Sequence, residues 1–123
     1  MNIASIVSEL KRLGKNRIKF ILHFGSSAHG KSTPLSDIDV GSYYEGNADE
    51  RFRFRIQASG LFNNVDIHIF QDVPLTVQRE MLQGKIAYVR DEDYIYNEGI
   101  RVMKEFSRFE KYYNEYFRKR MTA

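Results

Sequence analysis

The chain has 123 residues, a formal net charge of +3 and no cysteine. This length predicts one domain over residues 1–123, and the lack of cysteine excludes disulfides, thiolate-bound metals and thiol catalysis. The mild positive charge favours anionic ligands such as nucleotides but does not by itself indicate a nucleic-acid-binding protein. No apolar run approaches the ~20 residues that cross a bilayer. We therefore expect a cytoplasmic protein without a membrane anchor.

Helices and strands are predicted in mixed order along the chain. Apolar residues at helical spacing predict a helix over 2–13, which Gly14 ends. Apolar or alternating runs predict strands over 17–24, 37–44, 64–70 and 85–89. Further helices are expected over 47–59, 73–84 and 91–120, the first of them capped by Asn47. The mixture favours an α/β (α+β) fold with one sheet, with a core over about 17–90 and a long C-terminal helix over about 91–120.

Two carboxylates lie close together at the start of the second predicted strand, in the segment "SDIDV" (36–40). Asp37 and Asp39 project from one face of that strand, about 7 Å apart along the chain. Like charges at this distance repel each other unless a cation neutralises them, and oxygen ligands favour Mg²⁺ or Mn²⁺. Asp66 begins the next alternating strand in the phase that leaves its carboxylate on the open face, with His68 beside it. Three such acids can hold two ions for in-line phosphoryl or nucleotidyl transfer.

A Gly-Ser pair lies ten residues before these acids, in "FGSSAHG" (24–30). Gly25 ends a buried strand and allows close backbone approach, and Ser26 can cap a following helix. A strand, a tight turn and a helix start present free N–H groups that form an anion site. The Ser26 hydroxyl can contact a terminal phosphate. The segment can therefore hold both ends of a metal–nucleotide complex.

The complete pattern is Gly25-Ser26, ten residues, Asp37-x-Asp39 and a later strand Asp66. It resembles the nucleotidyltransferase superfamily of DNA polymerase β, and the small size resembles its minimal nucleotidyltransferases (MNT). The resemblance covers about 17–70, and "LQGKIAYVRDEDY" (82–94) and the long final helix are also similar. It implies a mixed sheet flanked by helices. It also implies transfer of a nucleoside monophosphate from an NTP, AMP from ATP, to a hydroxyl, with pyrophosphate leaving.

The resemblance also implies roles for the matched residues. Gly25 and Ser26 would hold the β- and γ-phosphates, with Ser27 and Lys31 as neighbouring nucleotide-binding residues. Asp37 and Asp39 would bind two Mg²⁺ ions, with Mn²⁺ as an alternative, and Asp66 would bind one ion and help to activate the acceptor hydroxyl. Many family members read Gly-Ser-Arg-Ala-Arg-Gly, whereas Ser27 and His29 occupy the arginine positions here. This departure lowers the expected triphosphate affinity but leaves the metal triad intact.

Similar small proteins pair with a HEPN-domain protein, often as a toxin–antitoxin system. The resemblance implies an antitoxin that attaches AMP to a tyrosine of a HEPN toxin within a hetero-oligomer. The aromatic end of the final helix, "FEKYYNEYFRKR" (109–120), is expected to project as an interface for this partner or for a homodimer. The basic face of the same helix is interpreted as solvated rather than as a polynucleotide-binding surface.

Two alternative functions remain open on the sequence. The chain could be a non-catalytic antitoxin that neutralises its partner by contact, which the missing arginines favour. It could also be a small-molecule transferase of the aminoglycoside-modifying kind. Those enzymes usually carry an additional helical domain for the acceptor, and one long helix is present here instead.

Overall fold

A computed structural model of the chain describes residues 2–30 and 37–122, with side chains described as far as Arg120. Lys31, one of the predicted nucleotide-binding residues, lies outside the described residues. Within the described part, no helix combines the length and the apolar composition that crossing a membrane requires.

The predicted helices and strands are confirmed, with ends that differ by at most two residues. The helices are α1 (Ile3–Gly14), α2 (Ala48–Ser59), α3 (Leu75–Leu82) and α4 (Glu92–Thr122). The strands are β1 (Ile18–Phe24), β2 (Ile38–Tyr44), β3 (Val65–Ile69) and β4 (Lys85–Val89). They form one sheet in the order β3-β2-β1-β4. The β2–β3 pair is parallel and the β1–β2 and β1–β4 pairs are antiparallel, so the predicted mixed sheet is confirmed.

Local side-chain chemistry fixes where α2 begins. The Asn47 side chain accepts a hydrogen bond from the Glu50 N–H at 2.8 Å, and the Glu50 carboxylate accepts one from the Asn47 N–H at 3.0 Å. This reciprocal capping box satisfies two N–H groups that the first turn leaves without a helical partner. The predicted Asn47 cap is therefore confirmed.

Helices cover both faces of the sheet, and each face has its own hydrophobic cluster. On the first face α1 and α2 pack on the sheet through residues that include Leu10 and Phe54. On the second face α3 and α4 pack on β1 through Met81 and Val102. A Cβ added to Gly41 would lie 2.7 Å from the Met81 sulfur, so the missing side chain lets α3 pack closely on β2. We call this second side the α3–α4 face.

The two halves of α4 have different surroundings. Val102, in the first half, is buried against the sheet. Four aromatic side chains of the second half are about half exposed, and neighbouring rings among them have centroids 4.6 to 6.0 Å apart. This aromatic stripe consists of Phe109, Tyr113, Tyr116 and Phe117.

Candidate active site

The parallel pairing of β2 and β3 brings two of the predicted carboxylates together. In this register Asp39 lies opposite Asp66, and Gly41 lies opposite His68. Residues opposite each other in a sheet project from the same face, so these side chains share the α3–α4 face. Ligand atoms of Asp39, Asp66 and His68 all lie within 4.8 Å of one another. Asp39 and His68 are partly buried, while Asp66, on the edge strand, is exposed.

His68 contributes more to this site than the sequence indicated. Its Nε2 lies 3.6 Å from Oδ1 of Asp39, and its ring centroid lies 5.5 Å from that of Phe24. The sequence placed His68 on the same face as Asp66 but gave no distance to Asp39. The strand pairing supplies that distance, and it adds an imidazole to the two carboxylates.

Gly25 lies directly against the carboxylate of Asp39. Its φ of +78° is in the region that side-chain-bearing residues rarely adopt. A Cβ built on Gly25 would lie 2.5 Å from Oδ2 of Asp39. Two independent constraints therefore require glycine here, and they place the predicted phosphate turn beside the predicted metal ligand.

The helix start expected after Gly25 is a short 3₁₀ turn, Ser26–His29. The turn ends at Gly30, which has a left-handed φ of +69°. A single 3₁₀ turn aligns too few peptide dipoles to reproduce the field of a full helix. The expectation of a helix dipole at this site is therefore corrected. An anion at Gly25 and Ser26 would depend on local N–H groups instead.

Ser27 is part of a small polar group at the end of β1. Its hydroxyl and the Nε2 of His23 share a hydrogen bond of 2.8 Å. His23 lies opposite Lys85 in the β1–β4 register. Burial, followed by the Lys85 ammonium group, lowers the pKa of His23. Lys85, on β4, therefore lies opposite a residue that precedes Gly25 by two positions. The sequence did not indicate this cation near the end of β1.

Asp37 lies immediately before β2 and is exposed. Among the described residues, the group of close ligand atoms consists of Asp39, Asp66 and His68, so Asp37 lies outside it. The structure thus brings together Gly25, Asp39 and Asp66 from the predicted set. It places Asp37 at the edge of that site.

Burial and charge repulsion act together on Asp39. Burial first, and then the neighbouring Asp66, raise the pKa of Asp39, while His68 opposes the shift. Burial and repulsion both disfavour the ionised form of Asp39, and a cation that enters the site would stabilise that form. The electrostatics therefore favour a bound cation between Asp39 and Asp66.

The arrangement of donor atoms fits a divalent ion. Small divalent cations hold their ligands at about 2.1 Å, so two ligands of one octahedral ion lie about 3.0 Å apart when adjacent and about 4.2 Å apart when opposite. One ligand atom from each of Asp39, Asp66 and His68 lies within 4.8 Å of the other two, a limit close to the larger of these spacings. Small side-chain rotations would bring the three donors onto one ion.

The fold and this site agree with a match to a known protein family. Residues 5–93 match the family model described as polymerase beta, nucleotidyltransferase. The chain belongs to this nucleotidyltransferase family. Among curated proteins, none matches the sequence significantly.

Several solved structures have a similar fold. A chain of a toxin–antitoxin crystal structure with AMP-PNP aligns with a TM-score of 0.74 and 17% identity, covering 96% of this chain and 98% of that chain. A chain of the tri-AMPylated Shewanella oneidensis HEPN toxin in complex with MNT antitoxin aligns with a TM-score of 0.68 and 15% identity, covering 97% of this chain and 96% of that chain. A chain of the toxin–antitoxin MntA–HepT aligns with a TM-score of 0.68 and 15% identity, covering 97% of both chains. The TM-scores and coverages show a shared fold that extends over nearly the full length of each chain.

Proposed function

We propose that the chain is a metal-dependent nucleotidyltransferase that moves AMP from ATP to a tyrosine hydroxyl of a HEPN-domain toxin and so acts as an antitoxin. The observation that carries the proposal is the convergence of Asp39 and Asp66, from adjacent parallel strands, beside Gly25. The family membership supports nucleotidyl transfer. A similar structure, described as a tri-AMPylated HEPN toxin in complex with MNT antitoxin, supports a HEPN toxin as both acceptor and partner.

Three carboxylates are available to hold the ions. Asp39 and Asp66 would share one Mg²⁺ or Mn²⁺, and Asp37, at the edge of the site, would help to hold a second ion that arrives with the nucleotide. Such ions, when bound, stabilise charge on the phosphoryl oxygens and orient the triphosphate. Gly25 and Ser26 would donate backbone N–H groups to the terminal phosphates, and Ser27 and Lys31, which follow in the sequence, would also bind the nucleotide.

The order of these residues across the sheet gives the substrates a direction. Gly25 follows β1, Asp39 is on β2, and Asp66 is on the edge strand β3. A triphosphate held at Gly25 therefore presents its α-phosphorus toward Asp39 and Asp66. In-line transfer requires the acceptor on the side opposite the leaving group. The acceptor hydroxyl would therefore enter past the exposed Asp66.

The transfer step follows from this placement. The acceptor oxygen forms a bond to the α-phosphorus while the bond from the α-phosphorus to the oxygen that bridges to the β-phosphate breaks. Pyrophosphate leaves toward Gly25 and Ser26. Asp66 accepts the hydroxyl proton, because it is the exposed carboxylate on the acceptor side.

The aromatic stripe on α4 provides a candidate partner surface. Its rings are about half exposed at the end of a helix whose first half already covers the sheet. Exposed aromatic patches of this kind mark protein–protein interfaces. We propose that the HEPN partner binds here, with a homodimer as the alternative use of the same stripe.

A non-catalytic antitoxin is the second candidate, favoured by Ser27 and His29 at positions where many relatives carry arginine. The two functions are separated by intact-mass spectrometry of the HEPN partner after incubation with this chain, Mg²⁺ and ATP. Catalysis predicts a partner heavier by one or more AMP groups with the wild type and no change with Asp39→Asn. An unmodified partner that is still neutralised by both forms would establish the binding module instead.

A further inference from the structure

We propose that Nε2 of His68 is a third protein ligand of the metal ion, and that the resulting site prefers Mn²⁺ or another first-row transition ion over Mg²⁺. This inference rests on the proposed function, since it concerns the ion that Asp39 and Asp66 would hold. It goes beyond that function because it identifies a ligand outside the three carboxylates and a metal preference.

The position of His68 supports direct ligation. It lies two residues after Asp66 on a strand, so both side chains point to the same face. The distance of 3.6 Å from its Nε2 to Oδ1 of Asp39 lies between the spacings of adjacent and opposite ligands around one octahedral ion, about 3.0 and 4.2 Å. An ion can therefore bind both atoms after a small rotation of either side chain.

The surroundings hold the imidazole in this place. The Phe24 ring lies 5.5 Å away at an interplanar angle of 59° and restricts His68 from the β1 side. About one third of each side chain remains exposed, 32% for His68 and 28% for Asp39. This exposure leaves room for phosphate oxygens on the remaining positions of the ion.

His68 has a competing role, which is to orient Asp39 by a hydrogen bond without touching the metal. Ordinary N–H···O hydrogen bonds between heavy atoms are about 2.7–3.2 Å long. The observed separation of 3.6 Å is longer than this range. The two atoms are therefore not held together by a short hydrogen bond, and both are available to an ion between them.

The imidazole changes the metal preference through its donor atom. Mg²⁺ is a hard ion that favours oxygen ligands, whereas first-row transition ions also bind imidazole nitrogen well. Three carboxylates alone would favour Mg²⁺. Replacing part of this oxygen set with the His68 nitrogen shifts the preference toward transition ions such as Mn²⁺.

Electron spin-echo envelope modulation on the Mn²⁺-loaded chain tests the ligand directly. The chain is labelled with ¹⁵N in histidine only and loaded with Mn²⁺ and α,β-methylene ATP, whose α–β bond cannot be cleaved in the transfer. We expect ¹⁵N coupling in the wild type and in the control His29→Gln, and none in His68→Gln. Absence of histidine coupling in the wild type overturns the inference, whether or not the variant folds.

Metal competition gives a second readout. His68→Gln should weaken Mn²⁺ binding by at least about tenfold and Mg²⁺ binding much less, so that the Mn²⁺ preference falls. An equal effect on both ions would show that His68 only supports the site and would overturn the inference. Failure of the proposed function looks different, because the wild type would then bind the metal and show histidine coupling without transferring AMP.

Discussion

The Cβ position of Gly25 lies 2.5 Å from Oδ2 of Asp39, so the turn that we propose binds phosphate lies directly against the carboxylate that we propose binds the metal ion. A side chain added to Gly25 would displace the carboxylate of Asp39. The geometry of the turn and the position of Asp39 are therefore a single feature of the site.

This contact predicts that Gly25→Ala reduces nucleotidyl transfer by about 100-fold, because displacing a positioned group by about 1 Å costs that much. Gly30→Ala is the matched control. Gly30 has a similar left-handed φ of +69° but no atom within 4 Å of its Cβ position. Gly30→Ala should lose on the order of 1 kcal/mol of stability from its left-handed conformation. Gly25→Ala should lose more, up to about 3 kcal/mol, because its ψ of −165° puts it in a region that is essentially restricted to glycine. Only Gly25→Ala should lose the activity. If Gly25→Ala and Gly30→Ala lose the same activity, the contact between Gly25 and Asp39 has no specific role in the reaction.

The electrostatics of Asp39 predict a pH-dependent stability in the metal-free protein. Burial and the neighbouring Asp66 raise the pKa of Asp39 above its ordinary value of 3.8, so the folded state binds this proton more tightly than the unfolded chain. The resulting stabilisation is complete below pH 3.8 and is lost as the pH rises through the folded pKa. Above that pKa, Asp39→Asn should therefore melt at a higher temperature than the wild type.

Thermal melts across this pH range check the prediction. The advantage of Asp39→Asn should shrink as the pH falls through the folded pKa of Asp39 toward 3.8. Added Mg²⁺ or Mn²⁺ should raise the melting temperature of the wild type more than that of the variant, since bound ligand stabilises the folded state. Glu110→Gln, a charge removal on the exposed part of α4, serves as the control. If Asp39→Asn is no more stable than the wild type at neutral pH without metal, the prediction is wrong.

Lys85 is predicted to replace part of the positive charge that arginines supply in many relatives. Lys85 lies opposite His23 in the β1–β4 register, and its charge lowers the pKa of His23, two residues before Gly25. Lys85→Ala should raise the KM for ATP by about tenfold, the loss typical of a hydrogen bond to a charged group. The effect should be smaller at high salt, which screens the charge. Steady-state kinetics with Lys104→Ala, on α4, as the control would detect this, and equal KM values for the two variants would exclude the role.

The aromatic stripe predicts where partner binding is lost. Tyr113→Ala and Phe117→Ala should each weaken the complex by at least about tenfold, because buried aromatic anchors dominate interface energies. Neither change should alter the melting temperature of the free chain by more than a few degrees, since both side chains are about half exposed and lie beyond the part of α4 that packs on the sheet. Tyr96→Ala is the control, because Tyr96 is 68% exposed and lies outside the stripe. Calorimetry measures the affinity for the HEPN partner. If both stripe variants bind it as tightly as the wild type does, the aromatic stripe is not the partner-binding surface.

The sequence predicted the elements of this fold well because their signals are local. Alternating residues identified β2 and β3, and Asn47 together with Gly14 marked helix ends through short-range hydrogen bonding and backbone freedom. The phase of alternation also placed Asp39 and Asp66 on open faces. Their contact depends on the parallel register of two strands, which no local pattern encodes.

The parts of the site that the sequence missed come from strand order. Lys85 is 60 residues away from Gly25 in sequence, and only the pairing of β4 with β1 brings it near the turn. His68 was recognised as a neighbour of Asp66, but its distance to Asp39 depends on the same β2–β3 register. The helix expected after Ser26 is a 3₁₀ turn because Gly30 adopts a left-handed conformation that ends it.

The most direct test of the central claim is a comparison of two labelled substrates. The chain and its HEPN partner are incubated with Mg²⁺ and ATP labelled at either the α- or the γ-phosphate, with the Asp39→Asn/Asp66→Asn double variant beside the wild type. The account predicts that the wild type transfers the α-label to the partner and releases the γ-label as pyrophosphate, and that the variant does neither. Transfer of the γ-label, or α-label transfer that survives in the variant, would contradict nucleotidyl transfer at this site.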